Sequence, residues 1–138
     1  MIFLLLFISA ICLSACGKEN DKTLTEMTGF MFEEAVKNEE SFILVIYQTG
    51  CSHCEEYMPI FEEVMSKYDV DAYKINLAGL TDQEKGFLQS YVTVSGTPTT
   101  VFFEKGSETS STDRLVGNQS KTKIIKKLKS LGYIREEE

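Results

Sequence analysis

The residues best suited to chemistry stand together in TGCSHCEEYMP, residues 49–59, where Cys51 and Cys54 enclose Ser52 and His53. A thiol pair at this spacing fits three readings: half of a metal site, a covalent staple, or a pair that cycles between dithiol and disulfide. A closed zinc site takes four ligands, usually as two pairs. Here the chain's one histidine is wedged between the cysteines, and there is no second C-x-x-C and no H-x-x-H. A bridge closing so small a loop removes little entropy from the unfolded chain. The redox reading asks for a thiolate, and the unpaired amides and partial positive charge of a helix N-terminus favour one.

The flanking segments supply such an end. SFILVIYQT (41–49) is a near-continuous apolar run suited to a central strand buried on both faces. EEYMPIFEEVMSKY follows, with Tyr57, Phe61, Val64 and Tyr68 at helical intervals. The cysteines therefore fall where a buried strand ends and a helix begins. Cys51, at the helix start, is the expected attacking sulfur. Cys54, three residues on along the same face, is placed to resolve a mixed disulfide. His53, with Ser52, is expected to tune the redox poise by placing positive charge beside the thiolate, against the negative Glu55 and Glu56. No metal or other cofactor is expected.

The remaining segments complete an alternating pattern. From Thr28, TGFMFEEAVKNEE carries Phe32, Ala35 and Val36 at helical spacing, and VDAYKINLA (70–78) reads as a strand. Thr81 and Glu84 form a capping box that opens a helix through Tyr91. TTVFFE (99–104) is a strand, KGSETSSTD a polar hairpin loop and RLV a returning strand. Ser120 caps a last helix with Ile124, Ile125, Leu128 and Leu131 as its apolar stripe, ended by Gly132. The order predicts an α/β fold with a mixed central sheet of about four strands and helices on both faces.

The first residues are of another kind. Ile2 to Leu13 is apolar, too short for a spanning helix of roughly 20 residues but of signal-peptide length, although no Lys or Arg precedes it. Leu13-Ser14-Ala15-Cys16 looks like the lipobox of bacterial lipoproteins. The expected organisation is a signal peptide at 1–15, a lipid-anchored tether at 16–24 with lipid on Cys16, and one domain at 25–138. Cys12 would leave with the signal, so the domain keeps only Cys51 and Cys54. At 138 residues, 43% hydrophobic and 25% charged, the chain suits one domain. Its net charge of −7, without a basic stripe interleaved with aromatics, argues against a nucleic-acid partner. Six of its 14 basic residues lie in the last helical stretch, read as a solvated face.

With CSHC placed after a buried strand, the chain resembles the thioredoxin superfamily over roughly residues 25–132. Pro59 matches the family's proline in the active-site helix. Gly96-Thr97-Pro98 resembles its cis-proline loop, which implies a cis Pro98 and a Thr97 backbone that pairs with a bound peptide strand. Glu104-Lys105-Gly106 resembles the following hairpin turn, and Val116-Gly117 the glycine before the last helix. Two features depart from the pattern. Thioredoxin carries a buried acid six residues before its first cysteine, where this chain has Val45, so Lys74, matching the lysine beside that acid, is expected to lack a partner and point to water. Ser-His also replaces Gly-Pro between the cysteines, which tilts the resemblance toward histidine-containing oxidants.

Among lipid-anchored members the chain looks most like small thioredoxin-like proteins of Gram-positive bacteria, some described as bacteriocin-transport accessory proteins. The resemblance implies a monomeric, extracytoplasmic thiol–disulfide oxidoreductase. Its partners would be exported protein thiols or disulfides and a membrane redox protein. The alternative is an accessory subunit of an export or maturation complex whose cysteines are dispensable.

Overall fold

The chain order is β1 (Leu24–Glu26), α1 (Gly29–Lys37), β2 (Phe42–Tyr47), α2 (Ser52–Tyr68), β3 (Ala72–Asn76), α3 (Asp82–Tyr91), β4 (Thr99–Glu104), β5 (Ser107–Glu108), β6 (Leu115–Val116) and α4 (Lys121–Ser130). The structure, a computed structural model, describes residues 23–135, so the expected signal peptide, Cys16 and most of the tether lie outside the described residues. The strands form one mixed sheet in the order β1-β3-β2-β4-β5, with β6 also paired to β4. β1, β3 and β2 run parallel, while β4 runs antiparallel to β2.

The central position of β2 follows from its apolar run. Phe42, Ile43, Leu44, Val45 and Ile46 are all buried, and successive side chains enter opposite faces. Phe42, Leu44 and Ile46 join Val101 and Phe103 of β4 in a core closed by Phe32, Ala35 and Val36 of α1 and Leu88 of α3. Ile43 and Val45 join Phe102 in a second core, closed by Tyr57, Phe61, Val64 and Met65 of α2 and Ile124 and Leu128 of α4. Helices thus cover both faces, as the alternation predicts.

Two strands are too short for sequence periodicity to register. β1 has three residues and β5 two, and together they bring the sheet to six strands rather than about four. β1 begins inside the stretch read as a tether, with Leu24 opposite Ala72 in β3. β6 pairs back on β4 as expected of the RLV segment, and β5 forms within the stretch read as loop. The strand expected through residue 78 ends at Asn76, whose side chain caps a short 3₁₀ turn, Leu77–Gly79. Gly106 permits the β4–β5 turn: its φ is +75°, and a Cβ there would run into the Val36 carbonyl.

Phe32 is 1% exposed and meets Phe42, Phe87, Tyr91 and Phe103 edge-on. Phe32→Ala is expected to cost about 3–5 kcal/mol in urea unfolding. Phe30→Ala, on the same helix but 63% exposed, should stay within about 0.5 kcal/mol. A second expectation concerns the capping box. Bonds from the Thr81 backbone and hydroxyl hold the Glu84 carboxyl below its ordinary value of 4.5. The depressed folded value means that this contribution is full above the ordinary value and is lost as pH falls through the folded one. Glu84→Gln keeps an acceptor but cannot titrate, so the stability difference between wild type and variant should vary across that acid window and be flat above it.

Candidate active site

The chain enters the site from the end of β2 through Gln48-Thr49-Gly50. Asn76, at the end of the neighbouring strand β3, clamps Thr49: its Nδ2 donates to the Thr49 hydroxyl at 2.7 Å, and its Oδ1 accepts the Thr49 N–H at 3.2 Å. Gly50 takes a φ of +78°, open to glycine and strained for other residues. The turn closes with the Cys51 N–H donating to the Gln48 carbonyl at 3.2 Å.

Cys51 is the N-cap of α2, and its sulfur accepts the Cys54 N–H at 3.2 Å. It thereby occupies the place a serine or aspartate oxygen takes at an ordinary helix start. Cys51 and Cys54 are joined as a disulfide, with Cα atoms 5.2 Å apart. The two sulfurs are unequal: Cys51 is half-buried at the surface, while Cys54 is 2% exposed. An incoming sulfur therefore reaches Cys51 first.

Facing the pair is the loop before β4, whose Thr97–Pro98 peptide is cis. The Thr97 hydroxyl donates to the Cys51 sulfur at 3.4 Å. The Thr97 carbonyl lies 3.4 Å from the same sulfur, a contact in the disulfide and an acceptor for the S–H once the bridge opens. Gly117 N–H donates to the Pro98 carbonyl at 2.8 Å, and the Thr99 hydroxyl to the Gly96 carbonyl at 2.7 Å, which fixes the loop. Among the described residues, neither backbone group of Thr97 is bonded to other backbone. Tyr57 of α2 ties the two halves together through a buried 2.8 Å bond to Thr100 of β4. Burial pushes the Tyr57 hydroxyl above its usual range, outweighing the opposite effect of Thr100, so it stays protonated.

The structure brings Cys51, Cys54, Thr97 and Pro98 together and leaves Ser52 and His53 on the exposed first turn of α2. His53 Nδ1 is 4.0 Å from Glu56 Oε2, and that oxygen also accepts a 2.7 Å bond from Asn118. On the other side of Cys54, a cavity of about 310 Å³ opens between Tyr47, Glu55, Met58 and Lys74. Lys74 is not left alone, contrary to the expectation from Val45. Its register partner on β1 is Glu26, whose Oε2 lies 3.9 Å from the ammonium and accepts from the Tyr47 hydroxyl at 3.1 Å. Burial first, and Glu26 second, push the Tyr47 hydroxyl up. Glu26 escaped the sequence reading because its strand did. Among the described residues no group of three or more His, Cys, Asp or Glu side chains is arranged to hold a metal ion.

A cis-proline loop set against a C-x-x-C pair at the start of a helix is the arrangement the sequence resemblance implies, and residues 23–130 match the Thioredoxin family. The chain belongs to the thioredoxin family. Thioredoxin F from spinach chloroplast superposes with a TM-score of 0.61 at 20% identity, covering 78% of this chain and 92% of that one. Thioredoxin from Aeropyrum pernix gives 0.60 at 22% identity, covering 76% and 84%. Both are likenesses of fold. In sequence, protein disulfide-isomerase 1 of Caenorhabditis elegans is 29% identical over 110 residues, 80% of this chain and 22% of that protein. The probable protein disulfide-isomerase ER-60 of Schistosoma mansoni is 31% identical over 111 residues, again 80% of this chain and 22% of that protein. The chain thus spans about a fifth of the length of these two curated relatives.

Because Asn76 is, among the described residues, the one side chain bonded to Thr49, Asn76→Ala should loosen the approach to Cys51. The expected outcome is about 1–3 kcal/mol lost in denaturant unfolding, with hydrogen exchange at the Thr49 amide accelerated beyond the global change. Unchanged protection at Thr49 would show that the turn is held by other means.

Proposed function

We propose that this thioredoxin-family protein is an extracytoplasmic thiol–disulfide oxidoreductase that forms, reduces or exchanges disulfides in exported proteins through Cys51 and Cys54. The observation that carries the reading is the accessible Cys51 sulfur at the N-cap of α2, disulfide-bonded to a buried Cys54 and facing Thr97. In the oxidising direction, a substrate thiolate attacks Cys51, the bond to Cys54 breaks, and Cys54 leaves as a thiolate that takes up a proton. A second substrate thiolate attacks the substrate sulfur of the mixed disulfide, and Cys51 leaves as a thiolate. There the Cys54 N–H and the Thr97 hydroxyl are positioned to stabilise it. Two electrons pass from the substrate dithiol to the protein; of its two protons, one ends on Cys54 and the other goes to solvent while Cys51 stays a thiolate. The reducing direction runs the same steps backward, with Cys51 attacking and Cys54 resolving.

Thr97 and Pro98 form the rest against which the substrate strand lies, and Ser52 and His53 adjust the poise. The lipobox-like Leu13–Cys16 supports an outward-facing protein anchored through lipid on Cys16. In such a compartment a reductant lacks the cytosolic thiol pool and needs a membrane redox partner.

The deciding measurement is the reduction potential of the Cys51–Cys54 couple in defined thiol–disulfide buffers. A value near about −120 mV assigns oxidation of substrates, and one near about −270 mV assigns reduction. Cys51→Ser should abolish turnover of a peptide disulfide. Cys54→Ser should instead accumulate a substrate adduct on Cys51, visible as a reductant-sensitive mass increase. A cellular phenotype that persists when both cysteines are serine would replace this reading with the accessory-subunit one.

A further inference from the structure

Beside Thr97, on the α3 side of the site, lies a cavity of about 240 Å³ lined by the apolar Leu77, Leu88 and Val94 together with Gln48, Lys85, Gln89, Ser95, Gly96 and Thr97. Its position is that of a subsite. Thr97 contacts the Cys51 sulfur on one side and lines this cavity on the other, so a peptide laid along Thr97 passes its mouth within a few residues of the reacting cysteine. Its size falls below the roughly 300–1,000 Å³ of small-molecule pockets, which suits one side chain rather than a cofactor.

The chemistry of the wall selects the side chain. Lys85 is the one charged residue lining the cavity, it is half-buried, and it makes no ion pair among the described residues. The nearby acids of α3 do not enter the wall: Glu84 is engaged in the Thr81 capping box, and Asp82 is exposed one turn before Lys85. Gln48, Gln89 and Ser95 add neutral polar groups to the same lining. A carboxylate entering the α3-side cavity gains a charge-assisted bond, whereas a basic side chain meets a like charge.

We propose that Lys85 is a specificity determinant and that this cavity receives an aspartate or glutamate close in sequence to the substrate cysteine. The proposal rests on the oxidoreductase reading and names the class of substrate that the same site prefers.

The test uses the full chain and pairs of peptide dithiols and disulfides that differ only by Glu, Gln or Lys at positions flanking the cysteine on either side. At low salt, the best-placed Glu peptide should exceed its Lys counterpart in kcat/KM by about three- to tenfold. The preference should narrow in high salt, vanish in Lys85→Gln and reverse in Lys85→Glu. The salt dependence and the reversal are readouts that a merely structural role for Lys85 would not produce. Equal turnover of Glu and Lys peptides at every position, or a ranking unchanged in Lys85→Glu, overturns the subsite while leaving the oxidoreductase reading intact. Failure of wild type to turn over any peptide, although a small dithiol reduces Cys51–Cys54, overturns the oxidoreductase reading and the subsite with it.

Discussion

The Cys54 N–H donates to the Cys51 sulfur at 3.2 Å, and this bond joins the chemistry to the fold. A helix start leaves amides without intrahelical partners, and something must accept from them. In most helices that acceptor is an oxygen with no further duty. Here it is the sulfur that reacts, so whatever fixes the start of α2 also fixes the electrostatics of the reactive group. The helix start is fixed in turn by β2, whose residues Phe42–Ile46 have no solvent-exposed face to which they could slip. A shift of one residue would exchange every side chain between the two cores. The position of Cys51 therefore inherits the register of a strand buried on both faces.

The other half of the site depends on the same strand. Ile46 of β2 pairs with Thr99 of β4, so the strand that delivers Cys51 and the strand that follows Pro98 are locked side by side. Tyr57–Thr100 repeats the tie one layer out, between α2 and β4, through a bond with no water to compete for it. The approach of Thr97 to the sulfur then needs no contact of its own to hold it. It follows from sheet register, from the Gly117–Pro98 bond and from one buried hydroxyl pair.

Much of this could be read before any coordinates, and the boundary of what could be read has physical causes. β2 announced itself because burial on both faces leaves a run of apolar residues, and the caps at Thr81 and Ser120 because their signals are local. The cysteines, Thr97 and Pro98 were legible as a recurrent motif. β1 and β5 were not: two or three residues carry no periodicity, and these strands exist because longer neighbours offer them an edge. Missing β1 meant missing Glu26, and the reading of Lys74 as partnerless followed from that omission. Cross-strand pairing between residues 26 and 74 is a property of parallel register, which leaves no trace in sequence spacing. The Lys85 cavity was invisible for the same reason, since its wall comes from four separated stretches of chain.

The displaced charge pair also bears on how the buried sulfur can ionise. A carboxylate at position 45 would sit at 0% exposure between α2 and the sheet, where an unpaired charge costs several kcal/mol and demands its own partner. With Val45 there, that core stays apolar, and the acid stands instead on the edge strand, where Glu26 is partly in water and accepts from Tyr47. Lys74 is thereby held between an exposed acid and the cavity that Cys54 also lines. A thiolate leaving at Cys54 faces a space bordered by an ammonium, with Glu55 at the same rim working against it. Removing the buried acid thus does not strip the site of charge. It moves the charge to where solvent and salt moderate it, as they would not moderate a fully buried pair.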